Sequence, residues 1–264
     1  MRRPSGRLHL FDGTAFWYVQ LRIDSAVCVQ FMKVNYGGNM NYKNIDMGSY
    51  PRKEHFEYFK TMQYPFVTMT VQVDITDWFK KLKKAGYPLF HCFQYAVSRA
   101  ANSVPQFRQR IKGDGIIEYD FCNPSYTVAL PDGTYRYCMV NADQPLNDYL
   151  TEAKIMQNKA LHDDHLHEEG DKMSFLFTSC VPWQNFTGAT MPFPSSDFSV
   201  PNINWGKYKV EKYLALEDGQ VVEKDKITIP VVVFVNHALV DGRHISEFFA
   251  GLDRELSNME QYYE

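Results

Sequence analysis

Residues 227–235 read Ile-Thr-Ile-Pro-Val-Val-Val-Phe-Val, and the chain then runs directly into Asn236-His237-Ala238-Leu239-Val240-Asp241-Gly242. Thr228 is the only hydrogen-bonding side chain in the nine. A strand with one wet face alternates apolar and polar residues, so this stretch reads as a central strand covered on both sides. His237 stands at its C-terminal end, where open-sheet folds commonly gather reactive groups. Gly242 permits a sharp turn before the helix that follows. From position alone, His237 reads equally well as a proton-transfer group and as a hydrogen-bonded structural histidine.

Working outward, "KYKVEKYLALEDGQVVEKD" (residues 207–225) leads into that strand and reads as a hairpin folding back through Glu217-Asp218-Gly219. "GRHISEFFAGLDRELSN" (242–258) is the closing helix, with Ile245, Phe248, Phe249 and Leu252 facing inward. Near the start, "SYPRKEHFEYFKTM" (49–62) begins like a helix, with Pro51 in its first turn and Phe56, Phe59 and Met62 on one face. "FVTMTVQVDIT" (66–76) alternates Val67, Met69, Val71, Val73 and Ile75 against polar residues, the pattern of a half-buried strand. Thr76 or Asp77 is the expected cap of the helix "DWFKKLKKAG" (77–86), which Gly86 ends. "LFHCFQYAVSRAANS" (89–103) is apolar round most of its circumference and reads as a core helix. "DGIIEYD" reads as a short strand, "PSYTVALPDGTYRYCMVN" as a hairpin turning at Pro131-Asp132-Gly133, "LNDYLTEAKIMQNKALH" as a helix and "KMSFLFTSC" as a strand. The mixture predicts an α+β, two-layer α/β sandwich built on a mixed β-sheet.

The chain has 264 residues, 45% of them hydrophobic, which is enough for one full core. Residues 40–264 read as a single domain. Residues 1–39 carry no clear period and read as an N-terminal extension, either disordered or upstream of a natural start at Met40. The formal charge of −3 argues against a nucleic-acid-binding face. The basic run "FKKLKKAG" is the solvated side of a helix. The five cysteines show no paired spacing, so neither a zinc knuckle nor a disulfide framework is expected. Reduced thiols point to the cytoplasm, and no stretch approaches the ~20 apolar residues of a membrane span. "HDDHLHEEGD", with His162, His165 and His167, fits no standard zinc spacing and reads as a solvated loop, so no metal is expected.

His-x-x-x-Asp-Gly after a hydrophobic strand, here His237 to Gly242, resembles the signature of the coenzyme A-dependent acyltransferases. Other segments fall in the order found in one branch, the chloramphenicol acetyltransferases. "PRKEHFEYF" is similar to their Arg-Lys-Glu-x-Phe helix, and "VQVDIT" to their first long strand. "PQFRQRI" and "PSYTV" follow as they do there. "FLFTSCVPW" is similar to their Ser-x-x-Pro-Trp segment, and "WGKY" to their Gly-Lys-Tyr segment. The resemblance covers the chain from Met40 to about Leu256. Dihydrolipoyl acyltransferases would bring an Ala/Pro-rich linker, and the large plant acyltransferases are about twice as long.

The resemblance implies direct acetyl transfer from acetyl-CoA, as cosubstrate, to a hydroxyl on a small-molecule acceptor, with chloramphenicol the leading candidate. His237 is the implied general base and Ser179 the implied oxyanion donor. Asn204 stands where the family has a threonine supporting a water. Asp241 is implied not as a triad member but as the salt-bridge partner of Arg52. His244 is expected on the helix surface or in packing, and Asn236 replaces a histidine found in many members. Trp183, Lys207 and Tyr208 match positions near the coenzyme tunnel. Phe59, Pro65, Val67 and Tyr137 form the implied acceptor pocket, with Pro65 and Val67 in place of a cysteine and an aromatic, and Tyr135 or Tyr137 rebuilding the aromatic wall. The resemblance also implies a homotrimer with sites at subunit interfaces. The same mechanism on another hydroxyl, or a catalytically silent trimer used for binding, are the alternatives.

Overall fold

A computed structural model of the protein describes residues 41–166 and 170–262, so the 1–39 extension and His167 lie outside the described residues. The elements run β1 (Tyr42–Asn44), α1 (Lys53–Lys60), β2 (Phe66–Asp74), α2 (Thr76–Ala85), α3 (Leu89–Asn102), α4 (Pro105–Arg108), β3 (Gln109–Lys112), β4 (Gly115–Tyr119), β5 (Asn123–Ala129) and β6 (Tyr135–Met139). They continue with α5 (Leu146–Leu161), β7 (Phe175–Val181), β8 (Asn202–Gly206), β9 (Lys209–Glu217), β10 (Gln220–Asn236) and α6 (Gly242–Asn258). No helix among the described residues is long and apolar enough to cross a membrane.

The main sheet has seven strands in the order β2-β10-β8-β7-β5-β6, with β9 paired to β10. It is mixed: β7 runs parallel to both β5 and β8, and the other pairings are antiparallel. Helices cover one face. Val231, Val233 and Val235 of β10, Ile203 and Trp205 of β8, and Leu176 of β7 point into the core there. Phe93 of α3 meets Trp205 edge-on with ring centroids 5.3 Å apart. The expected α+β sandwich is therefore present, and the apolar run 227–235 is its central strand, flanked by β2 and β8.

One detail departs from a regular ladder. Thr228 pairs with Lys209 while Val231 pairs with Trp205, so the β8–β9 segment holds one residue more than β10 opposite it. That is a β-bulge, and Lys207 and Tyr208 lie in it. Pro230 falls opposite the bulge, which explains how a residue without an N–H is tolerated in a central strand.

Three expectations are corrected. The second, three-stranded sheet β1-β4-β3 was not expected, because its strands are short and two of them lack clear alternation. Helix α2 is capped by neither Thr76 nor Asp77: the Asp74 carboxylate accepts from Thr76 N at 2.9 Å and from the Thr76 hydroxyl at 2.5 Å. Asp74 ends a strand, so it was read as a surface strand residue. The closing helix begins with a capping box in which Asp241 accepts from the Arg243 and His244 amides while His244 Nδ1 accepts from Asp241 N at 3.1 Å. His244 is thus a buried cap residue and not a surface one.

Helix α3 carries an imidazole toward the interior. His91 Nδ1 is buried, and burial lowers the imidazole pKa to about 4 against an opposing hydrogen bond from Gln157. The unfolded chain takes up this proton as pH falls through about 6.5, while the folded chain does so only near 4. The folded state therefore loses stability across that window, by at most about 3 kcal/mol. We expect urea unfolding of the wild type to weaken between pH 7 and 4.5 more than that of His91→Phe; equal slopes would remove His91 as the cause.

Candidate active site

His237 is the first residue after β10. Its backbone amide donates to the Pro65 carbonyl at 2.7 Å, tying it to the residue before β2. The chain then makes a single turn in which Leu239 N and Val240 N both donate to Asn236 O. Asn236 holds that turn from the other side: its Nδ2 donates to the carbonyls of Ser196 and Phe198, and its Oδ1 accepts from Ala238 N. Asn236, which stands in place of a histidine found in many family members, is therefore the fastening of the turn.

The imidazole itself is fixed in two ways. Its Nδ1 lies 3.0 Å from the Val240 carbonyl oxygen. A carbonyl can only accept, so Nδ1 carries a hydrogen, and in the uncharged ring Nε2 is the nitrogen left with the lone pair. The ring also stacks on Phe59, centroids 4.0 Å apart and planes 17° from parallel. Held by this contact and by the stack, the ring is oriented to take a proton at Nε2.

Beneath it Arg52, just before α1, pairs with Asp241. Burial pushes the Asp241 carboxyl up, but the Arg52 and His244 side chains and two backbone amides outweigh burial and hold it below its ordinary value. Arg52 Nη2 also reaches the His237 carbonyl, at 3.5 Å. Asp241 anchors the turn through Arg52 and caps α6.

A second cluster sits on the sheet face away from the helices. Ser179 of β7 is the register partner of Asn204 in β8. The Ser179 hydroxyl lies 3.0 Å from that of Thr127 in β5. Asn204 is buried, and its Oδ1 has no hydrogen-bond partner among the described residues. Tyr137 of β6 pairs with Thr127 at the same level. Trp183 is exposed just past β7, while Lys207 and Tyr208 occupy the bulge. These are drawn together by backbone contacts: Lys207 N donates to Gln184 O at 2.7 Å, and Asn185 Nδ2 to Lys207 O at 2.8 Å. Gly206 makes that approach possible, since a β-carbon there would lie 2.4 Å from the Gln184 carbonyl oxygen. Tyr208 packs against Phe79 of α2, with centroids 5.0 Å apart.

The two clusters do not meet within one chain. Asn204 is opposite Val232, five residues before His237 along β10. At about 3.3 Å per residue that is ~16 Å, before the further step sideways to β7. Of the implied pocket residues, Phe59 and Pro65 belong with His237 and Tyr137 belongs with Ser179. Val67 turns into the core opposite Val235, because it lies on the buried side of the β2 alternation. Phe66 takes the outward position, stacked on Phe193 with centroids 3.8 Å apart.

A family model described as chloramphenicol acetyltransferase matches residues 40–253. The chain belongs to the chloramphenicol acetyltransferase family. It is accordingly an acyltransferase. Chloramphenicol acetyltransferase 2 of Escherichia coli is 26% identical over 223 residues, covering 83% of this chain and 99% of the relative. A chloramphenicol acetyltransferase of Klebsiella is 28% identical over 225 residues, covering 84% and 93%. A solved chloramphenicol acetyltransferase superposes with a TM-score of 0.69 at 23% identity, covering 82% of this chain and all of its own. That likeness establishes the shared fold.

Within this acetyltransferase chain, four cysteines among the described residues are free thiols. Burial pushes Cys92 and Cys138 up to about 12, and Cys180, beside Ser179 in sequence, is raised further. None is a ready thiolate. Thr127 and the Val240 carbonyl are the site groups that sequence reasoning missed. Thr127 lies inside the quoted "PSYTV" segment, so its position was visible and its contact was not.

Proposed function

We propose that the protein is a chloramphenicol O-acetyltransferase of the cytoplasm that moves acetyl from acetyl-CoA directly to a substrate hydroxyl, at sites shared between chains of a homotrimer. The observation that carries this reading is the placement of His237 Nδ1 against the Val240 carbonyl. With Nδ1 committed to the Val240 carbonyl, Nε2 takes the acceptor's hydroxyl proton as the oxygen attacks the thioester carbon. The Ser179 hydroxyl donates to the resulting oxyanion, and the buried Asn204 carboxamide holds a water beside it. When the intermediate collapses, the carbon–sulfur bond breaks. The imidazolium returns its proton to the departing thiolate, leaving an acetyl ester and free coenzyme A. Trp183, Lys207 and Tyr208, gathered at the bulge, are the coenzyme side of the site.

The ~16 Å between the His237 and Ser179 clusters supports sharing: His237 of one chain serves Ser179 of the next. A second reading keeps this mechanism and changes the alcohol. The inward turn of Val67 and the tyrosines Tyr135 and Tyr137 on the β5–β6 hairpin favour it, since a rebuilt wall shifts discrimination without touching the base.

Thiol release from acetyl-CoA, measured with and without chloramphenicol for the wild type and for His237→Ala, tests both. Drug-dependent release that disappears in the variant is expected. Release with another alcohol but not with chloramphenicol selects the second reading, and release that survives His237→Ala removes His237 as the base.

A further inference from the structure

Beyond Thr228 the central strand leaves the main sheet. β2 pairs with β10 only over residues 228–236 and β8 only over 231–234, whereas β9 pairs with residues 220–228. Most of β9 and the first half of β10 therefore form a two-stranded ribbon projecting from the body. Such a ribbon standing alone in water is marginally stable. Its outer edge, along β9, has no strand partner among the described residues.

One ribbon face is apolar at its tip and at its base, with the Lys212–Glu223 ion pair and Asp225 between them. Val210, Leu214 and Leu216 of β9 share it with Val221, the partner of Leu216. Leu214, Leu216 and Val221 are 72%, 74% and 68% exposed. An exposed apolar face beside a free strand edge is the arrangement that recruits another strand.

Register identifies the strand. Asp218 and Gly219 both have positive φ, the two-residue turn typical of hairpins. The flanking pair Glu217 and Gln220 exchanges both backbone hydrogen bonds in such a turn, and pairs alternate from there. Residues 209, 211, 213, 215 and 217 thus aim their amides at β10, and 210, 212, 214 and 216 aim theirs outward. Now let β9, Lys-Val-Glu-Lys-Tyr-Leu-Ala-Leu-Glu, pair antiparallel with the β9 of another copy. Centring on Lys212 opposes the two Lys212 ammoniums. Centring on Leu214 opposes Glu211 to Glu217. Centring on Tyr213 opposes Lys209 to Glu217 at both ends and Val210 to Leu216, with no like charges directly opposed.

We infer that β9 is a two-fold self-pairing edge: two copies join their ribbons antiparallel about Tyr213, merging their apolar faces into one four-stranded surface. The contact is isologous and closes on itself. It is independent of the site-sharing contact proposed above. With that contact it joins one trimer to another across two-fold axes, and without it the assembly is a dimer.

Two measurements test it, with coenzyme A thiol release as the check that each variant is folded, since the ribbon lies outside the proposed catalytic machinery. In this register residue 213 faces its own copy as a non-hydrogen-bonded pair with Cα atoms about 4.5 Å apart, inside the disulfide range. Tyr213→Cys should therefore form a chain-to-chain disulfide on mild oxidation, where Glu211→Cys should not. Leu216→Lys should lower the mass seen by light scattering at least twofold. Lys209→Glu should weaken association severalfold, and adding Glu217→Lys should restore it. No excess cross-linking of Tyr213→Cys over Glu211→Cys, or a mass indifferent to Leu216→Lys, overturns the inference. So does a ribbon that becomes accessible to an apolar dye only after residues 1–39 are removed, because that segment would then be its cover.

Discussion

Mixing His237→Ala chains with Ser179→Ala chains, by co-expression or joint refolding, should recover activity that neither variant has alone. Removing the base leaves the acceptor hydroxyl with no group to take its proton. Removing one oxyanion donor costs on the order of 10²–10³ in rate. Each pure variant is therefore nearly silent. In a closed ring of randomly mixed chains, a junction has an intact His237 facing an intact Ser179 in about one case in four, so the mixture should reach roughly a quarter of the wild-type rate. The forecast follows from strand register alone: Ser179 pairs with Asn204, Asn204 with Val232, and Val232 lies five residues short of His237. No rotamer of either side chain spans the ~16 Å of strand between them. Thiol release at a fixed total chain concentration reads the result. A mixture no more active than the average of its two components would mean that each chain builds its site alone, which would sink both the sharing and the trimer.

The resemblance implied sites at subunit interfaces, but the strand distance between His237 and Ser179 within one chain was out of reach of local sequence, and the reason is physical. Local composition showed that 227–235 is a central strand and that His237 stands at its end, because burial on both faces leaves a continuous apolar run. The hairpins at Asp132-Gly133 and Asp218-Gly219 were legible because turns demand particular residues. Strand order was not. Nothing local tells Ser179 that its neighbour is Asn204, twenty-five residues on in the chain. The same holds for the contacts that set His237. Its partner Val240 is three residues away, but Phe59 comes from α1 and Pro65 from before β2. The family resemblance supplied Arg52 and Asp241 as a pair, and they do pair. It offered no role for Asn236 or His244, which the structure uses to fasten the histidine turn and to cap the helix after it.

Asp241→Ala should be the most damaging change outside the reacting groups, and comparison with Asp241→Asn should separate its two tasks. As the cap of α6 the carboxylate accepts from Arg243 N at 3.0 Å, a contact whose loss costs about 1 kcal/mol. As the partner of Arg52 it neutralises a guanidinium whose side chain is only 14% exposed, and stranding that group costs about 1–3 kcal/mol more. The Asp241 side chain is itself 30% exposed, so the sum of about 3 kcal/mol lies at the low end for breaking a buried pair. Asp241→Asn keeps a cap oxygen and loses only the charge, so its loss of stability should match that of Arg52→Ala and fall short of that of Asp241→Ala. Denaturant unfolding of the three variants gives the order. The sign with pH is fixed as well. The carboxyl is held below its ordinary value in the folded state, so its contribution is complete above the unfolded pKa of about 4 and disappears as pH falls through the lower folded value. The gap between wild type and Asp241→Asn should stay constant from pH 8 to about 5 and close in more acid. The His91 effect acts between about 6.5 and 4. A gap that closed already near pH 6 would mean that His244, not Asp241, is the titrating member of the cap. The Arg52 pair would then contribute little to holding the turn that carries His237.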